Sequence, residues 1–242
     1  MPDAIFGEPR LAELYDPLDA DRRDLDAYLA IAAEFGAATV LDIGCGTGTL
    51  ACLLAERGLD VIGADPAAAS LDVARRKPGA GQVRWLHAEA TRLPPVQADL
   101  VTMTGNVAQV FVSDQEWAAV LRTVRRALRP GGRLVFESRD PARQAWLGWN
   151  RDQSYRRVVI PGAGPVETWY DLTSAGPGLV SFRATFVFGS DGAVLTSRST
   201  LRFRGRDELA GSLASAGFVV DEVRDAPDRP GLEFVFIARR PA

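Results

Sequence analysis

The sequence predicts an α/β protein: a parallel sheet with helices on both faces, carrying an antiparallel insertion. Three observations predict it. Short apolar runs alternate with helix-period segments from Asp19 to Glu137. The first apolar run ends in the glycine-rich turn Gly44-Cys45-Gly46-Thr47-Gly48. From Tyr155 to Arg204 the helical period disappears and a two-residue alternation replaces it.

Each element has its own signal. Leu25, Tyr28, Leu29, Ala32 and Ala33 recur at helical spacing, which predicts a helix from Asp19 to Phe35, capped by Asp19 or Asp21. Thr39 to Ile43 reads as a buried strand, Thr47 to Arg57 as a helix stopped by Gly58, and Asp60 to Ala64 as a second strand. Ala67 to Arg76 is helical until Lys77-Pro78-Gly79 breaks it. Val83 to His87 and Ala98 to Met103 are strands. Trp117, Val120, Leu121 and Val124 mark a helix from Asp114 to Leu128, ended by Pro130-Gly131-Gly132. Arg133 to Glu137 is a fifth strand. In the insertion, Val180, Phe182, Ala184, Phe186 and Phe188 alternate with polar neighbours. The turn Gly189-Ser190-Asp191-Gly192 then leads to Leu195, Ser197, Ser199, Leu201 and Phe203 on one side of the returning strand. Val158 to Ile160 and Val166 to Leu172 add two strands. A helix from Asp207 to Ala216 and strands Phe218 to Val223 and Leu232 to Ala238 complete the chain.

Bulk properties narrow the function. The chain has 242 residues, 47% of them hydrophobic and 24% charged, enough for one domain with an insertion and a sizeable core. A net charge of −3 argues against broad adhesion to nucleic acid or anionic membrane. Cys45 and Cys52 form neither a disulfide framework nor a zinc pattern, which suits a reducing, cytoplasmic setting. Met1 to Arg10 lacks the basic and apolar runs of a secretion signal, and no apolar run approaches ~20 residues, so no membrane span is expected.

Leu41-Asp42-Ile43-Gly44-Cys45-Gly46-Thr47-Gly48 carries the sharpest chemical signal. Glycine lets backbone pass close to a ligand. A nicotinamide or flavin fingerprint places its third glycine three residues after the second; that position is Thr49 here. Asp42 would also repel a diphosphate, whereas a ligand with an ammonium group would be attracted.

This segment resembles the first motif of the class I S-adenosylmethionine-dependent methyltransferases, and further features follow in the family's order. Asp65 and Pro66 end the second strand, where the family places an acid on the ribose hydroxyls. Ala88-Glu89-Ala90-Thr91-Arg92-Leu93-Pro94 resembles the family's adenine loop, with Glu89 in place of its aspartate. Thr104-Gly105-Asn106-Val107 follows the fourth strand, where backbone meets the methionine end. Arg129 to Leu134 resembles the turn into the fifth strand, and Leu14-Tyr15-Asp16 an N-terminal segment that folds over the cofactor. The resemblance implies a doubly wound, seven-stranded Rossmann-like methyltransferase sheet with an inserted antiparallel β cap. It implies S-adenosylmethionine as cofactor, held by Tyr15, Asp42, Gly44, Cys45, Gly46, Asp65, Pro66, Glu89, Ala90, Thr104, Gly105 and Asn106. Residues 1–138 would form the cofactor core with its N-terminal lid, 139–205 the substrate cap, and 206–242 the end of the core.

The acceptor is less specified. The fourth strand ends in Thr-Gly-Asn-Val rather than the Pro-Pro tetrapeptide of amino-group methylation on adenine or glutamine. Neither cysteine is placed as a nucleophile for pyrimidine chemistry. His87, the sole histidine, ends the third strand on the adenine side, away from a substrate proton. An acceptor pocket over the fourth and fifth strand ends points to Glu137, Arg139, Trp146, Trp149, Tyr155 and Trp169. The expected reaction is methyl transfer to nitrogen or oxygen of a small molecule, with no metal, nucleic acid or membrane partner. Methylation of a protein or RNA partner and non-catalytic cofactor binding are the competing readings. The sequence specifies neither a catalytic residue nor an oligomeric state.

Overall fold

The computed structural model describes residues 2–242; of the stretch Met1 to Arg10, Met1 lies outside the described residues. Three short helices open the chain: α1 (Ala4–Gly7), α2 (Pro9–Ala12) and α3 (Tyr15–Leu18). There follow α4 (Asp26–Glu34), β1 (Thr39–Ile43), α5 (Thr49–Glu56), β2 (Asp60–Asp65), α6 (Ala68–Ala74), β3 (Val83–His87), β4 (Ala98–Met103), α7 (Asp114–Ala127) and β5 (Leu128–Arg139). The insertion holds α8 (Arg151–Ser154), β6 (Arg156–Ile160), β7 (Gly164–Gly176), β8 (Leu179–Phe188) and β9 (Val194–Arg202). The chain closes with α9 (Arg206–Ser215), β10 (Val219–Asp225) and β11 (Glu233–Arg239).

The main sheet has seven strands in the order β10-β11-β5-β4-β1-β2-β3. β1 to β5 run parallel to one another, and β11 runs antiparallel between β5 and β10. The doubly wound prediction is therefore met. Strand alternation splits the core into two layers. Leu41, Ile43, Val101, Met103, Leu134 and Phe136 pack with Trp117, Leu121 and Val124 of α7 and Leu209 and Leu213 of α9. Val40, Val61, Leu100 and Val135 turn the other way, onto Tyr28, Leu29 and Ala32 of α4 and Leu50, Ala51 and Leu54 of α5. The insertion forms its own four-stranded antiparallel sheet, β6-β7-β8-β9, with Val166, Ala184, Phe186 and Phe188 packed on Leu11 and Leu14 from the N-terminal helices.

Most boundaries shift by a few residues, and two starts shift further. The helix predicted from Asp19 starts at Asp26. Asp19 ends α3 with φ −124° and ψ 58°, and Asp21 accepts the Arg23 N–H at 3.2 Å beside a 3-10 turn over Arg23–Leu25. Local acid–arginine pairing and the turn displace the helix start. The fifth strand begins at Leu128 rather than Arg133, because Gly131 N–H donates to Arg240 O and Arg240 N–H to Gly132 O, each at 2.8 Å. The Pro-Gly-Gly turn is thus tied to the chain end. α7 starts as its sequence requires, with Ser113 Oγ accepting the Glu116 N–H at 3.1 Å.

Candidate active site

β1 to β4 end side by side, and the strand order switches direction between β1 and β4, where doubly wound sheets form a crevice. A cavity of about 720 Å³ opens there. The loop after β1 forms its floor. Gly44 has φ +70°, and a Cβ there would lie 2.5 Å from Val107 Cγ2. Gly46 has φ +53° and faces open space in the cavity wall. A side chain at the first would clash and at the second would occupy ligand space. Cys45 also lines the cavity; burial pushes its thiol well above the usual range, so it is a neutral wall group and not a nucleophile.

Asp65 organises this loop. Its Oδ2 accepts the Gly46 N–H at 2.9 Å and its Oδ1 the Ala67 N–H at 2.7 Å. One carboxylate therefore fixes the glycine loop and the start of α6 while its edge, with Pro66, lines the cavity. Asp42 lies deeper, accepting from the Thr102 hydroxyl at 2.7 Å. Burial pushes its carboxyl up to about 7, with the Thr102 bond opposing and the charge of Asp65 adding to the rise.

The other predicted cofactor residues divide. Glu89 and Ala90 line the cavity beside His87, whose Nε2 lies 2.9 Å from Pro66 O. Glu89 is exposed, with Arg92 3.7 Å away. Thr104 and Gly105 line the opposite end, and Tyr15 lies close enough that a Cβ on Gly105 would be 3.9 Å from its hydroxyl. Asn106 is the exception. With φ +61° it turns downward: its N–H donates to Glu137 Oε1 at 3.1 Å and its Nδ2 to Glu233 Oε1 at 3.2 Å. It supports the loop from beneath and is absent from the cavity wall.

None of the six predicted acceptor residues lines the cavity. Glu137 is buried, bonded to Asn106 and to the Tyr28 hydroxyl. Arg139 donates to Gln109 Oε1 at 3.0 Å and lies 3.6 Å from Glu233. Trp146 and Trp149 pack edge-on or tilted against Phe203 and Phe182, each pair 4.7 Å between centroids. Tyr155 sits 6.5 Å from Trp169, with Arg151 over the Trp169 ring. Apolar contact draws the Trp146 and Trp149 rings onto the insertion's own β8 and β9 and away from the crevice.

The residues that do complete the wall come from distant segments: Asp3 and Phe6 beside α1, Arg22, Glu116 of α7, and Arg198 and Thr200 of β9. No local sequence signal marks them. The charged lining comprises five carboxylates (Asp3, Asp42, Asp65, Glu89, Glu116) against two guanidiniums, Arg22 and Arg198. A glycine cradle and a predominantly acidic wall fit a ligand that carries a sulfonium and an ammonium and no phosphate.

Comparison with known proteins agrees. A family model described as a methyltransferase domain matches residues 40–132. The demethylmenaquinone methyltransferase of Thermus thermophilus is 34% identical over 165 residues, 64% of this chain and 73% of that protein. A cypemycin N-terminal methyltransferase from a Streptomyces species is 36% identical over 105 residues; the chain spans only 43% of that relative's length, and 43% of this chain is matched. Among solved structures, the sugar N-methyltransferase KedS8 from a Streptoalloteichus species superposes with a TM-score of 0.76 at 21% identity, covering 94% of this chain and 93% of that one. The CcbJ methyltransferase from Streptomyces caelestis gives 0.73 at 22% identity and 90% of each chain. Strand order, loop chemistry and a relative matched over most of its length converge, and the chain belongs to the class I S-adenosylmethionine-dependent methyltransferases.

Proposed function

We propose that this protein methylates an amine nitrogen of a small molecule. The acidic cavity wall carries the reading: five carboxylates face two guanidiniums across the site. Such a wall attracts an ammonium-bearing acceptor as well as the cofactor, and disfavours a phosphorylated one. The sugar N-methyltransferase that shares the fold is named for a nitrogen acceptor and the cypemycin methyltransferase that shares sequence for an N-terminus, which supports the same reading. In this reading residues 139–205 cap the acceptor side, and 1–138 with 206–242 hold the cofactor.

S-adenosylmethionine supplies a methyl group on positively charged sulfur, open to in-line attack by a nitrogen lone pair. The chain's own contribution is placement. Asp65 holds the glycine loop and offers its free edge to ribose hydroxyls. Glu89 and Ala90 meet the adenine. Thr104 and Gly105 bound the methionine end, and Tyr15 closes over it. The acceptor ammonium loses its proton to water at the cavity mouth, so no base is assigned.

The test is a panel of primary amines, alcohols and phenols, assayed by release of S-adenosylhomocysteine. Turnover confined to amines supports the reading. Turnover confined to hydroxyl acceptors, or to intact RNA or protein, overturns it.

A further inference from the structure

The cap meets the cavity at β9, its edge strand, through Arg198 and Thr200. β9 is the last strand of the four-stranded sheet, paired on one side with β8 only. Which of its backbone groups are free follows from the ladder. Phe203 N–H donates to Gly178 O at 2.7 Å, and Phe188 N–H to Ala193 O at 2.9 Å. In an antiparallel pair, bonded and non-bonded residue pairs alternate. The bonded pairs between these two are therefore Val180–Leu201, Phe182–Ser199, Ala184–Ser197 and Phe186–Leu195. Arg198 and Thr200 fall between them. Their N–H and C=O groups point away from β8, and these are the two β9 residues that line the cavity.

The neighbouring ends of this edge are already engaged. Arg202 O accepts from Gln109 Nε2 at 3.5 Å, and the Ser197 hydroxyl accepts the Ile5 N–H at 3.0 Å. Between them the outward backbone groups of Arg198 and Thr200 have a period suited to one added extended chain. Arg183, across the ladder from Arg198, is paired with Asp171 at 3.0 Å. Arg198 itself makes no ion pair among the described residues and is exposed.

The geometry points to a short linear peptide with a free α-amine as the acceptor, its backbone paired with Arg198 and Thr200 along the β9 edge and its amine directed into the acidic cavity. This rests on the amine reading above and names the acceptor class. The Arg198 guanidinium suits the peptide's carboxylate, as the acidic wall suits its ammonium. Specificity would lie in a backbone amide N–H and C=O turned toward the β9 edge, which a simple amine or a sugar lacks.

Three probes of the wild-type protein test it: trialanine, alaninamide, and alanyl-lactyl-lactic acid, in which esters replace both inner amide N–H groups. Trialanine is expected to exceed alaninamide in kcat/KM by about tenfold or more, as two hydrogen bonds of ordinary strength would give. The ester analogue should lose most of that advantage. Thr200→Pro removes an outward N–H without touching the ladder to β8, and should shrink the ratio of trialanine to alaninamide by roughly fivefold. If that variant does not fold, the ester comparison decides alone. Equal kcat/KM for the three probes overturns strand pairing and leaves the amine reading standing. Absence of turnover with every amine, beside turnover of a hydroxyl acceptor, overturns both.

Discussion

The ammonium of Lys77 lies 2.7 Å from the carboxylate of Asp16, and the hydroxyls of Thr47 and Thr49 donate to that carboxylate at 2.8 and 3.2 Å. Lys77 is the only lysine of the chain. It ties α3, which presents Tyr15 to the cavity, to the start of α5 just after the glycine loop. Lys77→Met should loosen this lid. We expect cofactor affinity to fall by roughly fivefold, the worth of a partly buried ion pair near 1 kcal/mol, with faster tryptic cleavage at Arg10, Arg22 or Arg23. Unchanged affinity and cleavage would mean that apolar packing of Leu11 and Leu14 alone holds the segment.

Asp65 has two duties, and substitutions separate them. Asp65→Ala leaves the Gly46 and Ala67 N–H groups without their acceptors, at a cost of about 1–3 kcal/mol for each such loss. The thermal midpoint without ligand should therefore drop, and cofactor affinity should fall by about tenfold or more. Asp65→Asn keeps one acceptor oxygen and should lose affinity with a smaller change in midpoint. Calorimetry and thermal melts on both variants check this. A ligand-free midpoint unchanged in Asp65→Ala would show that the two backbone bonds contribute nothing to stability.

The strands and the cofactor loop were legible in the sequence because their signals are local. β1, β3 and β4 have the bounds that apolar runs predict, and β1 and β4, buried on both faces, admit little else. Asp42, Gly44, Gly46, Asp65 and Glu89 lie within or just beyond such strands, so their order alone placed them around one crevice. The acceptor side was not legible. Trp146 and Trp149 carry the composition of a binding pocket, and that same apolar surface binds them to Phe182 and Phe203 instead. Arg198 and Thr200 reach the cavity only because the tertiary fold sets β9 against α1 and the turn after β4, which no local pattern shows. Asn106 lies off the cavity wall because its left-handed backbone and two buried carboxylates beneath it turn its side chain away.

Asp42 makes stability and cofactor binding depend on pH. Its carboxyl titrates at about 7 in the fold against 3.8 ordinarily, because it is buried. A group that binds its proton more tightly when folded contributes stability fully present below about 3.8 and lost as pH rises through about 7. Asp42→Asn should remove that contribution, so the variant gains on the wild type between pH 5 and pH 8. Burial also raises Asp65 and Glu137, so a slope of the same sign remains. A cationic ligand favours ionised Asp42. Binding of S-adenosylmethionine at pH 6 should then release protons, seen as calorimetric heats that vary with buffer ionisation enthalpy, and at pH 8.5 it should release almost none. Buffer-independent heats at pH 6 would mean that binding leaves the protonation of Asp42 unchanged.

His87 is the one residue whose type alone invites a catalytic role, and its surroundings argue against it. The imidazole is exposed at the end of β3, with Nε2 2.9 Å from the Pro66 carbonyl. Donation to that carbonyl requires the proton on Nε2 and makes the ring a brace between the ends of β2 and β3. β3 is an edge strand of the sheet, separated from β4, whose end carries Thr104 and Gly105, by β1 and β2. In the proposed arrangement the adenine lies by His87 and the transferred methyl by Gly105, so the imidazole is remote from the acceptor nitrogen. General-base catalysis is worth ~10²–10⁴-fold in rate, a loss no assay would miss. We expect His87→Asn, measured at saturating S-adenosylmethionine on protein shown to be folded, to keep turnover within about tenfold of the wild type, well short of that loss. Affinity for the cofactor should fall modestly as the Pro66 brace weakens. A hundredfold fall in turnover under those conditions would make His87 a base and would move the acceptor to the β3 side of the crevice.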